Sequence, residues 1–169
     1  MTTLNTQFRA GFGAELVSAK DNGAARFPLQ LPGATTIPTG TANGQADTLF
    51  DDDRSLAAGA SESLDLAGGV LTGPLGDALT FADIVGIYIR ADATNQGNLL
   101  VGGAAANAFS AMFGDATDKI ILPPGAEFMI TNPTSGYVVT PGTGDLLKIE
   151  NADGVNAAGY RITLIGRSV

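Results

Sequence analysis

Carboxylates are the side chains of this sequence that we consider first as candidates for acid–base catalysis. Four of them, Asp65, Asp83, Asp92 and Glu127, fall at the ends of predicted strands or in predicted turns. Two such acids on either side of a sugar are what a glycosidase uses, one as general acid and one as base or nucleophile. Turns are also where solvated acids ordinarily lie, and a chain with no Trp and three Tyr has few rings to line a sugar cleft. We therefore expect no catalysis from these residues.

Three consecutive acids, Asp51-Asp52-Asp53, form the densest charge in the chain. Carboxylate oxygens of this kind could hold a hard cation such as Ca²⁺. A calcium loop places its ligands at alternate positions, with a glycine at the turn and a distant bidentate acid, and that spacing is missing here. The alternative is an exposed acidic turn, which is the interpretation we favour, and no metal site is predicted.

The sequence contains no His and no Cys. Their absence removes Ser-His-Asp and Cys-His catalysis, imidazole and thiolate metal sites, and disulfides. The glycines of Val101-Gly102-Gly103-Ala104 follow a predicted strand, as a phosphate-binding loop would, but no Gly-Lys-Ser/Thr comes after them. A tight turn is the prediction for this segment. We expect a protein that is not an enzyme and that carries no cofactor.

The charge balance argues against two classes of partner. Acids outnumber bases by 17 to 9, for a formal net charge of −8. A negative field repels phosphate backbones and anionic lipids, so neither nucleic acid nor a membrane is an expected partner. The start of the chain lacks the basic and apolar regions of a secretory leader, and no run approaches the roughly 20 apolar residues of a membrane span. We expect a soluble protein that is made in a cytoplasm and is not secreted.

Short β-strands are the elements that the residue pattern predicts. In the last third of the chain, apolar runs alternate with turns rich in Pro, Gly and Asn, such as Leu122-Pro123-Pro124-Gly125. Tyr160, Ile162 and Leu164 alternate with polar residues, which is typical of a strand with one buried face. Strands at intervals of about ten residues, with no helix between them, predict an all-β fold. We expect an antiparallel β-sandwich, jelly-roll-like and with about eight strands, formed as one domain by residues 48–169.

The segment from Ile84 to Phe109 is the predicted centre of this domain. Its first residues, through Ile89, are mostly β-branched or aromatic on both parities, as in a strand buried on both faces. Turn-forming residues follow, and then a second apolar run at Leu99-Leu100-Val101. The simplest interpretation is a β-hairpin in the core.

Residues 1–47 differ from the rest of the chain and are predicted to form an extended N-terminal arm. Phe27, Leu29 and Leu31 alternate with other residues and would lie on one side of an extended segment, while Pro28 confines that segment to a sheet edge or an arm. These three apolar residues are the predicted protein-interaction site. The alternative is a terminus that is simply flexible.

Several phrases of the sequence, taken in order, resemble a group of small structural proteins encoded in the virion gene clusters of tailed bacteriophages and prophages. The resemblance covers roughly residues 56 to 168 and leaves the N-terminal arm unmatched. The phrases that carry it are strand-and-turn segments: Ser61-Glu62-Ser63-Leu64-Asp65-Leu66-Ala67-Gly68, Leu79-Thr80-Phe81-Ala82-Asp83-Ile84, Ile87-Tyr88-Ile89, Val101-Gly102-Gly103-Ala104-Ala105-Ala106-Asn107-Ala108-Phe109, Leu122-Pro123-Pro124-Gly125 and Gly142-Thr143-Gly144-Asp145-Leu146-Leu147-Lys148-Ile149.

The resemblance implies a virion component, and a capsid decoration (cement) protein is the expectation. Proteins of that type tend to be β-rich, to sit on the outer capsid surface and often to form trimers. The implied partners are the major capsid protein and further copies of this chain, with the arm of residues 1–47 reaching over a neighbouring subunit. A tail-associated or fibre-associated protein that binds a receptor is the alternative, and an unrelated binding module or an enzyme also stays open.

Overall fold

The computed structural model describes residues 3–21 and 23–168. Within these residues the chain is all-β and its sheets are antiparallel, which confirms these two parts of the predicted fold, and none of the sheets closes into a barrel. The strands are β1 (Thr6–Lys20), β2 (Gly23–Ile37), β3 (Thr48–Leu56), β4 (Ser61–Asp65), β5 (Leu71–Thr72), β6 (Ala78–Leu79), β7 (Phe81–Ala91), β8 (Leu99–Gly102), β9 (Lys119–Leu122), β10 (Glu127–Thr131), β11 (Tyr137–Val138), β12 (Leu146–Asn151) and β13 (Ala158–Ser168).

Two sheets make up the body of the protein, which we number I and II. Sheet I has the strand order β10-β7-β13-β3, with β11 also pairing with β7, and sheet II has the order β4-β12-β8-β9. Alternation along the strands explains how the sheets meet: Tyr160, Ile162 and Leu164 of β13 are buried, while the residues between them are partly exposed. Buried side chains of both sheets form one apolar cluster. The sheets therefore share a single core in a sandwich-like arrangement.

The strand count of the body differs from the prediction of about eight. The structure has eleven strands from β3 to β13, of which β5, β6 and β11 are only two residues long. The eight others have four residues or more. β5 and β6 arise in a turn-rich segment, where apolar residues are too few to mark a strand in the sequence.

The central strand is confirmed, but the predicted hairpin around it is wrong. β7 lies inside sheet I between β10 and β13, and Ile84, Val85, Ile87 and Ile89 are fully buried. However, β8 pairs with β9 and β12 in sheet II. The connection between β7 and β8 is long enough to cross the core, so adjacency in sequence does not become adjacency in a sheet.

Asn95 fixes this crossing. Its side-chain amide donates to the carbonyl of Gly159 at 2.9 Å, and its carbonyl oxygen accepts from the Gly159 N–H at 2.8 Å. The side chain is buried, so these bonds satisfy groups that water cannot reach. A residue that the sequence assigns only to turn chemistry therefore joins the crossing loop to the start of β13.

The N-terminal region forms a second structural unit, a long β-hairpin. β1 and β2 pair through fifteen residues each, from Thr6 opposite Ile37 to Lys20 opposite Gly23, and they form a two-stranded sheet. Fifteen residues of strand extend for about 50 Å. At its base, Phe8 and Ile37 pack with Val85 of sheet I. The predicted extended segment is thus folded into a hairpin, and the division of the chain at residue 47 stays a prediction.

Candidate interaction surface on the N-terminal hairpin

The hairpin of β1 and β2 has one apolar face and one polar face. Residues opposite each other in an antiparallel pair point to the same side, and the side alternates along each strand. The polar face carries Gln7, Arg9, Glu15, Arg26 and Gln30. The other side is the apolar hairpin face, formed by Ala10, Ala14 and Leu16 of β1 and by Phe27, Leu29 and Leu31 of β2.

The apolar hairpin face is uncovered in the monomer. The exposed fractions are 72% for Leu16, 65% for Phe27 and 58% for Leu31, and Leu29 is half-buried. Contiguous exposed apolar surface on a soluble protein commonly marks a binding site. The structure therefore brings the three predicted residues, Phe27, Leu29 and Leu31, together on one surface, and their role in binding stays a prediction.

Sequence reasoning missed the contribution of β1 to this face. Leu16 lies directly opposite Phe27, and Ala14 lies opposite Leu29. The signal was present in the sequence, because Asp21-Asn22-Gly23 contains the Asn-Gly dipeptide that is typical of a two-residue hairpin turn. The predicted extended arm contains no chain reversal, so it leaves β1 without its partner strand.

A glycine on sheet I seats the base of the hairpin. A Cβ atom added at Gly86 would overlap the ring of Phe8, so the ring rests directly on the backbone of β7. Beside this contact lies an apolar depression of about 220 Å³, whose lining includes Phe8, Tyr88, Met129 and Ile165. The hairpin thus leaves the body from a defined seat on the outer face of sheet I.

Replacing Gly86 with Val is expected to displace Phe8 and loosen the base of the hairpin. The added side chain would occupy the position of the ring, so amide hydrogen exchange at Thr6–Phe8 should become faster while exchange in β13 stays unchanged. Gly13→Val is the matched control, because no atom lies within 4 Å of a Cβ at Gly13. Equal exchange rates at the base in Gly86→Val and wild type would contradict this account of the seat.

The two outer edges of the hairpin are chemically different. Proline has no N–H, so it fits a two-stranded sheet where its nitrogen points away from the partner strand. Pro28 faces Glu15 and Pro32 faces Gly11. Residue pairs along an antiparallel ladder alternate between hydrogen-bonded and non-hydrogen-bonded, and the pairs that contain Pro28 and Pro32 are of the second kind. The odd-numbered residues of β1 therefore direct their main-chain N–H and C=O groups away from β2. The outer edge of β2 therefore lacks donors at two positions, whereas none of the outward-directed residues of β1 is a proline.

The acids Asp51, Asp52 and Asp53 lie within strand β3, so the prediction of an exposed acidic turn is wrong. Asp51 accepts from Arg161 at 2.6 Å and Asp53 lies 3.4 Å from the same guanidinium, while Asp52 accepts from Arg54 at 2.7 Å. Strand alternation sends Asp52 to one side and its two neighbours to the other. Within residues 3–21 and 23–168, no three acidic side chains come together as a metal site would require.

The four carboxylates considered for catalysis are each engaged in a local contact. Asp65 accepts from the N–H groups of Ala67 and Gly68 and so holds the turn after β4. Asp83 pairs with buried Arg167, and Glu127 lies opposite Arg90 in the β7–β10 ladder. Asp92 lies next to Gly159. The contacts of Asp65 and Asp83 give these two acids structural roles.

Backbone conformation explains why two glycines stand at the end of β8. Gly102 and Gly103 have φ angles of 102° and 67°, in the region where other residues are strained. A Cβ at Gly102 would also lie 2.7 Å from the carbonyl oxygen of Asp118 and from the Phe113 ring. Positive φ angles and close packing therefore explain these glycines. The predicted tight turn is wrong, because Gly102 is the last residue of β8 and pairs with Lys119, and residues 103–118 form the connection to β9.

No family model, curated protein or solved structure matches this chain. Among the residues described, no helix is long and apolar enough to cross a membrane. The function must therefore be inferred from the physical features of the chain itself.

Glu62 is the acid at the centre of a polar network on the rim of the core. It accepts from the Arg54 guanidinium at 2.9 Å and from the Tyr160 hydroxyl at 2.7 Å. Burial alone would raise the pKa of the Glu62 carboxyl, but the hydrogen bonds from Arg54 and Tyr160 outweigh it and lower that pKa below its usual range. The Tyr160 pKa is raised, because burial and the neighbouring Glu62 carboxylate both disfavour the phenolate.

Glu62→Gln is expected to reduce the acid sensitivity of folding. A carboxyl with a lowered pKa in the folded state stabilises the protein above its unfolded value of about 4.3 and loses that contribution as the pH falls through the folded value. The stability gap between wild type and Glu62→Gln, measured by urea unfolding, should therefore narrow below roughly pH 4.3. Asp77→Asn, at an exposed turn, is the control. A gap that is the same at pH 7 and pH 3 would argue against this role for Glu62.

Proposed function

We propose that this protein is a structural component of a tailed-bacteriophage virion, and specifically a capsid decoration (cement) protein. It binds the outer capsid surface, stabilises the head and has no catalytic role. Its partners are the major capsid protein and copies of itself. The observation that carries the proposal is the apolar hairpin face: a two-sheet body carries a long hairpin whose Leu16, Phe27 and Leu31 side chains are uncovered.

A hairpin of this shape suits the stapling of neighbouring subunits. Extended segments gain main-chain hydrogen bonds and apolar contacts along their whole length, so they can span the boundary between two capsomers. The seat of Phe8 on Gly86 anchors the hairpin to the body, so a load on the hairpin is transmitted to the body. Many copies on one lattice would add their weak contacts by avidity.

The strand order supports a jelly roll for the body. Counting only the eight strands of four residues or more, the first pairs with the eighth (β3 and β13) and the second with the seventh (β4 and β12). The third pairs with the sixth (β7 and β10), and the fourth pairs with the fifth (β8 and β9). Successive pairs lie alternately in sheet I and sheet II. This is the pattern of a jelly roll, in which four antiparallel strand pairs are wrapped into a two-sheet sandwich. Jelly rolls are common among capsid proteins.

The location of the protein on the particle tests the proposal. Particles of the phage that encodes this chain would be imaged by cryo-electron microscopy, and copy number would be measured by quantitative mass spectrometry. A decoration protein predicts copies arranged on the head lattice, in numbers comparable to the capsomers. A few copies at the tail would replace the proposal with the tail or fibre alternative, and absence from the particle would overturn both.

A further inference from the structure

Strand β1 carries a self-complementary sequence. Around residue 12, residues at equal distances on either side are identical, similar or opposite in charge. Gly11 matches Gly13, Ala10 matches Ala14, and at the outermost positions an aromatic residue matches a leucine. Arg9 is matched by the acid Glu15. The nine residues are Phe8-Arg9-Ala10-Gly11-Phe12-Gly13-Ala14-Glu15-Leu16.

Self-complementarity of this kind is what a two-fold contact requires. In an isologous dimer, residue i of one copy meets residue j of the other, and j meets i. Two antiparallel strands related by a two-fold axis satisfy this rule when their residue numbers add to a constant. For an axis at residue 12, Arg9 lies opposite Glu15 of the second copy, and the same ion pair forms again on the other side of the axis.

We propose that two copies of this chain associate edge to edge through β1, in antiparallel register about residue 12. The result is a four-stranded sheet in the order β2-β1-β1-β2. This association does not depend on capsid binding, and it also makes a larger platform for it, because the two-fold axis is perpendicular to the sheet and brings both apolar hairpin faces to the same side.

The edge chemistry of the hairpin selects β1 for this contact. The outer edge of β2 lacks donors at Pro28 and Pro32, which blocks regular pairing there. The outward-directed residues of β1 include none of the prolines, and within the residues described β1 hydrogen-bonds to β2 as its one partner strand. Open strand edges are templates for pairing with another chain.

Charge supports a contact through the hairpin over one between the bodies. Residues 6–37 contain three bases and two acids, a net charge of +1, which leaves −9 for the rest of the chain. Two bodies of that charge repel each other, whereas the hairpins carry reciprocal charges at Arg9 and Glu15. Glu15 already lies 2.9 Å from Arg26 on its own hairpin, so it would sit between two cations in the dimer.

The register also places an apolar side chain at the base of the neighbouring hairpin. Leu16 of the second copy lies opposite Phe8, and Phe8 lines the apolar depression on sheet I. The Leu16 side chain is itself 72% exposed in the single chain. Pairing would therefore cover Leu16 at the rim of an apolar site.

Charge exchange tests the register in solution. Wild type should be a concentration-dependent dimer in sedimentation equilibrium, while Arg9→Glu and Glu15→Arg should each raise the dissociation constant by about ten-fold to a hundred-fold, because two attractive pairs become repulsive. An equimolar mixture of the two variants should form a heterodimer, and the double variant should recover self-association. Asp77→Arg makes the same charge change as Glu15→Arg at an exposed turn of the body, outside the hairpin, and as the control it should dimerise as wild type does.

Blocking the edge itself gives a second test. Gly13→Pro removes an outward donor from β1 and should abolish the dimer, whereas Gln30→Pro, directly opposite on β2, should leave it intact. Circular dichroism would confirm that both variants are folded. A wild type that stays monomeric up to about 100 μM would overturn the proposal. So would an oligomer of any size that neither the charge exchange nor Gly13→Pro changes.

Discussion

Arg167→Met is expected to lower the free energy of unfolding by about 3–5 kcal/mol, because it leaves a buried carboxylate without its counter-ion. The Arg167 side chain is buried in β13, and its Nε lies 2.9 Å from the Asp83 carboxylate. Its Nη1 donates to the carbonyls of Ala42, in the segment that follows the hairpin, and of Thr134. Loss of the guanidinium leaves the Asp83 carboxylate without its partner, while the two carbonyls keep the backbone bonds that they accept from Gln45 and Gly44. Urea unfolding at pH 7 would measure the cost.

Two further variants separate the buried pair from a general effect of removing charge. Arg161→Met removes a guanidinium that is 39% exposed, so it should cost far less stability than Arg167→Met. Asp83→Leu combined with Arg167→Met should be more stable than Arg167→Met alone, since no uncompensated charge remains. If Arg161→Met proved as damaging as Arg167→Met, the buried pair would not be the special contact we describe.

Ile162→Ala is the second substitution with a large expected effect, a loss of about 2–5 kcal/mol. Ile162 is fully buried at the centre of β13, between β3 and β7, in the cluster that both sheets share. Truncation leaves a cavity that the strands around it can close only in part. Thermal or urea unfolding would measure the loss.

Ile121→Ala makes the same chemical change at a site that is 59% exposed on β9. Its cost should be within about 0.5 kcal/mol, as for most surface substitutions. Similar losses at both positions would mean that the common core is not where the body derives its stability. The contrast matters for function, because a body stabilised by its own core allows the hairpin to be altered without unfolding the protein.

The sequence predicts the body well where one strand can be recognised by itself. β13 alternates over its buried residues Tyr160, Ile162 and Leu164, and β7 is apolar on both parities because it is buried on both faces. Such patterns depend on the burial of a single strand. They predict that a strand exists and which way its side chains point.

Pairing between strands is harder to predict, because it depends on residues far apart in the chain. β7 pairs with β10 and β13 rather than with β8, and the bond from Asn95 to Gly159 that fixes the crossing spans 64 residues. The acids of β3 were misassigned for the same reason. Arg161, the partner of Asp51 and Asp53, is more than a hundred residues away, and without it a strand of three acids resembles a solvated turn.

The hairpin shows a different limit of prediction from the sequence. Its turn was visible in the local sequence, and alternation placed Phe27, Leu29 and Leu31 on one side. Whether that side is covered is a property of the whole fold, and the structure answers it by leaving Leu16 and Phe27 exposed. Local patterns therefore define the surface, while its availability required the tertiary structure.

The most direct test of the central claim is the binding of a hairpin-shortened protein to phage heads. Ala10 and Gly33 lie opposite each other in a hydrogen-bonded pair, so residues 11–32 can be replaced by an Asn-Gly turn that keeps Phe8 and Ile37 in place. Co-sedimentation with heads that lack the protein would compare this variant with wild type and with Leu75→Ser, which changes an exposed apolar residue on the body. We predict that the shortened protein folds with the wild-type unfolding midpoint but does not bind, while Leu75→Ser binds normally. Undiminished binding of the shortened protein to the heads would contradict the claim that the hairpin is the docking element.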